Sequence, residues 1–147
     1  MRISTKAQYA VRAMTRLCLE GEGNPVSSKT LAELEDISLS FLEQILAKLR
    51  RGRIIESVRG PGGGFVLARP AADIRMHEII ECVEESLVPV ACMDENGRCN
   101  CGDQCLTHLV WAGLAQRIRN FLASMSLADL TSEARGANIF SMGEEQQ

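Results

Sequence analysis

Between Cys92 and His108 the chain reads CMDENGRCNCGDQCLTH, which gathers four cysteines and one of its two histidines into a single short segment. Cys92, Cys99, Cys105 and His108 follow a C-x6-C-x5-C-x2-H spacing. Three sulfurs and one imidazole nitrogen suit structural zinc and iron-sulfur chemistry alike. The usual zinc modules carry paired C-x2-C knuckles, and their absence here moves the balance modestly toward a cluster. Cys101, one residue beyond Asn100, is a fifth candidate: a spare thiol, an alternative ligand or a redox partner. Four unligated thiols facing solvent would invite oxidation, which disfavours an empty segment.

Several elements must hold these residues. An apolar pattern from Asp103, a plausible N-cap, to Met125 reads as the longest helix, over about 30 Å at ~1.5 Å per residue. It would set Cys105 and His108 at i and i+3 on its first turn, where the positive helix end favours thiolate. Its apolar surface exceeds what one small domain can cover, and the same face of a second copy is the simplest cover. Ahead of the cysteines, MHEIIECVEE makes a short amphipathic helix with Ile79, Ile80, Cys82 and Val83 inward. Cys18 and Cys82 each lie on an apolar helix face and read as small hydrophobes. His77 reads as solvated.

The front of the chain has another character. An apolar stripe from Ser4 to Glu20 is stopped by Gly21, and Ser27 caps a short helix carrying Leu31 and Leu34. In SLSFLEQILAKLRRGR, Ser40 and Glu43 match a capping box, and Phe41, Leu42, Ile45, Leu46 and Leu49 form the buried face of a third helix. Two β-prone runs, Ile54 to Val58 and Phe65 to Leu67, then flank a glycine-dense turn. Three helices and a hairpin describe a winged helix-turn-helix, so the expected fold is mainly α with a small β-hairpin wing and a long C-terminal dimerisation helix. The glycine-rich turn is no Walker loop, because Phe65-Val66 stands where lysine and Ser/Thr are needed.

A recognition helix presents its N-terminal residues to base edges. Those are Ser38, Ser40, Phe41, Glu43 and Gln44: Gln44 can pair with adenine and Glu43 can accept from a cytosine amino group. Lys48, Arg50, Arg51 and Arg53 suit phosphate contact. Arg59 stands beside a turn in which Gly60 and Gly62 let the backbone approach a groove wall, and an arginine at such a tip suits a narrow minor groove. Glu43 could instead only complete the cap on Ser40, and Phe41 could be only core.

Charge divides in the same place. The chain has 147 residues and a net charge of −3, but residues 1–70 hold 11 Lys/Arg against 7 Asp/Glu, while residues 71–147 hold 5 against 12. A basic front half suits a polyanionic partner such as double-stranded DNA. No apolar run approaches the ~18 residues of a membrane span, and six cysteines in this pattern suit a reducing compartment, so a cytoplasmic protein without a membrane partner is expected. The expected organisation is a DNA-binding region over 1–70, a ligand loop and dimerisation helix over 71–130, and a loose, mostly polar tail over 131–147.

Taken together, STKAQYAVRAM, ISLSFLEQILAKLR, SVRGPGGGF, CGDQCLTHLVW and SLADL resemble the Rrf2 family of bacterial winged-helix regulators, and in particular its iron-sulfur-responsive branch, over nearly the whole chain. The resemblance implies a homodimeric transcription regulator, mainly a repressor, that binds partly palindromic promoter DNA. It further implies a 2Fe-2S cluster held by Cys92, Cys99, Cys105 and His108, with Ser40, Glu43, Gln44 and Arg59 meeting DNA. The step from Cys92 to Cys99 is one residue longer than the branch's pattern, and Cys101 is additional. The rival readings are a winged-helix regulator with structural zinc and no sensing, and an electron carrier or enzyme that uses the cysteines.

Overall fold

The computed structural model describes residues 3–84, 93 and 106–135, the side chains of 134 and 135 excepted. The first helix, α1 (Thr5–Gly21), is capped by Ser4, whose hydroxyl accepts the Ala7 N–H at 3.1 Å. Ala7, Ala10, Ala13, Met14 and Leu17 recur every three or four residues and are all buried. Three alanines on that stripe let neighbouring helices come close. Next comes α2 (Ser28–Glu35), capped by Ser27, whose hydroxyl accepts from Thr30 N–H. Leu31 is buried as expected, but Leu34 is 45% exposed, because the stripe of so short a helix is only two residues wide. Arg12 and Arg16 of α1 both reach the Glu35 carboxylate, at 3.1 and 2.9 Å, and brace α2 from outside.

The third helix, α3 (Leu39–Arg51), follows after a short turn and buries Leu42, Ile45, Leu46 and Leu49. Its cap differs from the sequence expectation. Ser38, not Ser40, accepts the Phe41 N–H, at 3.3 Å, so Ser40 already lies inside the helix and does not form a box with Glu43. The wing pairs β1 (Ile55–Val58) with β2 (Gly64–Leu67) antiparallel, Ile55 opposite Leu67 and Val58 opposite Gly64. Its root is fixed twice more: Val26 and Phe65 exchange backbone hydrogen bonds at 3.0 and 2.8 Å just before α2. Gly64, at φ 155°, lies against the Val26 backbone, where a side chain would collide.

A single turn of 3-10 helix (Ala71–Asp73) leads to α4 (Met76–Val83), which packs against α1, α3 and the long helix α5 (His108–Ser124). The last element, α6 (Leu127–Arg135), opens on a reciprocal box, Ser126 Oγ accepting from Asp129 N–H and Asp129 accepting from Ser126 N–H. Leu127 is fully buried, and Thr131, in the stretch that composition alone marks as tail, is buried too. Its hydroxyl donates to the Leu127 carbonyl at 3.0 Å, which satisfies it without water. The core is one cluster that joins α1, α2 and α3 to Ile74, Met76, Ile79, Ile80, Val83 and Leu127. No helix among the described residues is long and apolar enough to cross a membrane.

Candidate nucleic-acid interface and ligand segment

The cap shift at α3 decides how its outer face is used. Ser38, Ser40, Glu43 and Gln44 are all exposed, and the side chains of Glu43 and Gln44 make no hydrogen bond to another described residue. Freed from capping, the Glu43 carboxylate is a solvent-facing acceptor beside the Gln44 amide on the first two turns. Phe41 turns the other way. Its half-buried ring meets Tyr9 edge-on, with centroids 5.6 Å apart and planes at 75°, and Tyr9 in turn carries the Arg12 guanidinium 5.0 Å from its centroid. Phe41 therefore joins α3 to α1.

At the other end of α3, Lys48, Arg50 and Arg51 crowd the last turn, where cations complement the negative helix end. Arg53 follows with φ 61°, a left-handed conformation that favours glycine, and its N–H donates to the Arg50 carbonyl at 3.0 Å. The wing tip exposes Arg59. Gly60 and Gly62 take φ of 95° and 73°, and Gly63 N–H closes the turn on the Gly60 carbonyl at 2.9 Å. A Cβ on Gly63 would strike the carbonyls of Val58 and Gly60, so the tip has to stay bare backbone.

Behind α3, α4 touches α1, α3 and α5 together. Glu78 accepts from the Arg75 N–H at 2.8 Å and from the Arg69 guanidinium, just past the wing, at 3.0 Å. Burial raises its carboxyl pKa, but those two donors outweigh it and hold the group below its usual value. Glu81 faces Arg119 of α5 at 3.7 Å and His77 Nδ1 at 3.6 Å; that nitrogen is buried, so His77 is less solvated than its sequence neighbours suggest. Cys82 is half-buried with its sulfur against Gly52, the residue that ends α3, and burial, then Glu78 and Glu81, push its thiol pKa up. Sequence periodicity flags α4 only as an amphipathic helix; its role as junction comes from contacts between residues far apart in the chain.

Of the ligand candidates, Cys92, Cys99, Cys101 and Cys105 lie outside the described residues, as does Asp103. His108 is described. It is the first residue of α5, which begins four residues later than the apolar pattern suggests, and Leu106 and Thr107 form a turn before it. The expected pairing of Cys105 with His108 on one helical turn falls outside the described residues; Leu106, 97% exposed, fits the helical period in sequence but precedes the helix. Thr107 Oγ1 accepts from Trp111 Nε1 at 3.2 Å. The His108 Nδ1 is buried and has no hydrogen-bond partner among the described residues, as a nitrogen reserved for a ligand would be. No group of three or more His, Cys, Asp or Glu among the described residues could hold a metal ion.

Along α5, Leu109, Val110, Leu114 and Phe121 are exposed by 83, 62, 38 and 60%, and no residue of the helix is buried. A contiguous apolar face of that size is uncommon on a monomer.

Comparison with known proteins agrees with this architecture. Residues 3–133 match the family model described as Rrf2, an iron-dependent transcriptional regulator. The chain is 44% identical over 130 residues to the HTH-type transcriptional regulator IscR of Xenorhabdus nematophila, covering 88% of this chain and 79% of that one. Against IscR of Escherichia coli it is 41% identical over 132 residues, covering 90% and 81%. Among solved structures, T. potens IscR superposes with a TM-score of 0.78 at 36% identity, over 93% of this chain and 90% of that one.

Proposed function

This chain belongs to the Rrf2 family of transcriptional regulators, and from that premise we propose that it is a DNA-binding regulator, mainly a repressor, whose promoter occupancy depends on an iron-sulfur cluster. Its relatives are regulators, not enzymes. The observation that supports the cluster reading is His108: a buried imidazole nitrogen with no hydrogen-bond partner among the described residues, at the foot of the long helix and close in sequence to four cysteines. Cys92, Cys99, Cys105 and His108 would hold a 2Fe-2S cluster, with Cys101 the alternative middle ligand. A cluster so held would report iron-sulfur supply, since its histidine ligand makes occupancy sensitive to conditions.

The DNA reading rests on the free face of α3. Glu43 and Gln44, with Ser38 and Ser40, read base edges in the major groove, and Phe41 fixes the height of the helix through Tyr9. Lys48, Arg50 and Arg51 neutralise phosphates, while Arg59, between bare Gly60 and Gly62, enters the minor groove. The exposed face of α5 pairs with that of a second copy, so that two heads meet a two-fold related site in a cytoplasmic homodimer. Residues 1–70 carry the reading surface and 71–130 the ligand loop and pairing helix.

The test is anaerobic purification with a visible spectrum and an iron and sulfide assay, then gel shifts on promoter DNA before and after the cofactor is stripped. A coloured protein whose affinity changes on stripping is expected, with Cys105→Ala losing both colour and response. A colourless, zinc-loaded protein with unchanged affinity would replace this reading with a structural metal site.

A further inference from the structure

The first helix of the reading head has an incomplete cap of its own. In a capping box the N-cap N–H is taken up by an acidic side chain three residues on, as Glu78 does for Arg75 and Asp129 for Ser126. In α1 that position is Ala7, which has no acceptor. The Ser4 N–H instead donates to the carboxylate of Glu84, eighty residues away, at 2.7 Å. Glu84 is also the C-cap of α4, its own N–H donating to the Ile80 carbonyl at 2.9 Å, and it is the last described residue before the cysteine segment. One residue thus ends the helix leading into the ligand loop with its backbone and completes the start of α1 with its side chain. Its charge is well placed at the positive end of α1.

The far side of this contact reaches the reading surface. Tyr9, in the second turn of α1, meets Phe41 of α3. A shallow open groove of about 650 Å³ lies beside this contact, lined by Ser4, Lys6, Phe41, Lys48, Val83 and Glu84 among others, so among the described residues the Glu84 side chain borders open space. Two of those residues are lysines, one of them among the expected phosphate contacts.

We propose that Glu84 is a positioning residue that couples the ligand loop to DNA reading: its carboxylate holds the N-terminus of α1 in one state and releases it in the other, shifting Phe41 and Lys48 on the recognition helix. The proposal rests on the cluster-dependent reading above. Coupling of this kind needs a contact with two arrangements that both sites bias, and a charge-assisted hydrogen bond beside an open groove supplies one.

The test compares wild type, Glu84→Ala and Glu84→Gln. Promoter Kd is measured for each in reconstituted and stripped form, and hydrogen exchange of the Ser4 to Gln8 amides is followed in the stripped protein. Glu84→Ala should keep cluster absorbance and DNA binding, yet its loaded-to-stripped Kd ratio should fall to within about twofold of unity, and Ser4 exchange should quicken about tenfold. Glu84→Gln, which still accepts a hydrogen bond, should recover much of both. A wild-type ratio retained in Glu84→Ala would overturn the coupling and leave the cluster-dependent function standing. A wild-type ratio of one would overturn both.

Discussion

Gly52 offers a sharp test of the packing between recognition helix and α4. It ends α3 at φ −77° and ψ 0°, a conformation that alanine adopts freely. On backbone grounds Gly52→Ala should therefore gain about 0.4–1 kcal/mol through the unfolded chain. The new methyl, however, would fall on Cys82 Sγ, far inside contact distance, so the half-buried thiol must turn from its packed position or α3 and α4 must part. Overpacking of this kind costs about 1–3 kcal/mol, so the single variant should lose on the order of 1 kcal/mol net. Cys82→Ala alone should lose roughly 1 kcal/mol as a half-buried sulfur is removed. With both changes the methyl enters the vacated space and the backbone gain is no longer opposed. Gly52→Ala should thus destabilise when residue 82 is cysteine and stabilise when it is alanine. Urea unfolding of the stripped protein at one fixed concentration measures all four corners of the cycle, and 1 kcal/mol should move Tm by about 2–4 °C in a domain of this size. An effect of the same sign in both backgrounds would refute the contact as the cause.

Two other outcomes follow from the head. Arg53→Gly should relieve a left-handed backbone and raise stability by about 1 kcal/mol, while lowering the log–log salt slope of promoter binding by about one; an unchanged slope would remove Arg53 from the phosphate contacts. Glu78, held below its usual 4.5 by Arg75 N–H and Arg69 against the opposing pull of burial, contributes stability that is present above pH 4.5 and lost as pH falls through its folded value, so Glu78→Gln should show a shallower acid limb in pH-dependent unfolding.

Much of this could be read from residue order because the signals are local. Ser4, Ser27 and Ser126 stand directly before apolar periods, and each caps the helix it introduces. The third cap misleads for an equally local reason: Ser38 and Ser40 are two residues apart, and only Ser40 has an acid three residues on, yet the cap bond forms at Ser38 without one. At the long helix, apolar spacing extends past the true start because periodicity records faces and not where hydrogen bonding begins. Thr131 counts as polar in composition but satisfies itself on a carbonyl one turn back. The Ser4–Glu84 bond leaves no trace in any window, since its two halves come from opposite ends of the head. The candidate reading residues can be named from their types and order alone; that Glu43 is free of the cap requires the backbone.

The seam at Ile74 to Met76 has a further bearing. Met76 N–H bonds the Met125 carbonyl and Leu127 N–H bonds that of Ile74, which returns the chain to the head after α5. The long helix α5 is therefore an insert in the chain, tied to the core at this seam and along its side through α4. A stress applied within such an insert reaches its host through two stitches at once, whereas a terminal appendage could shift with only one.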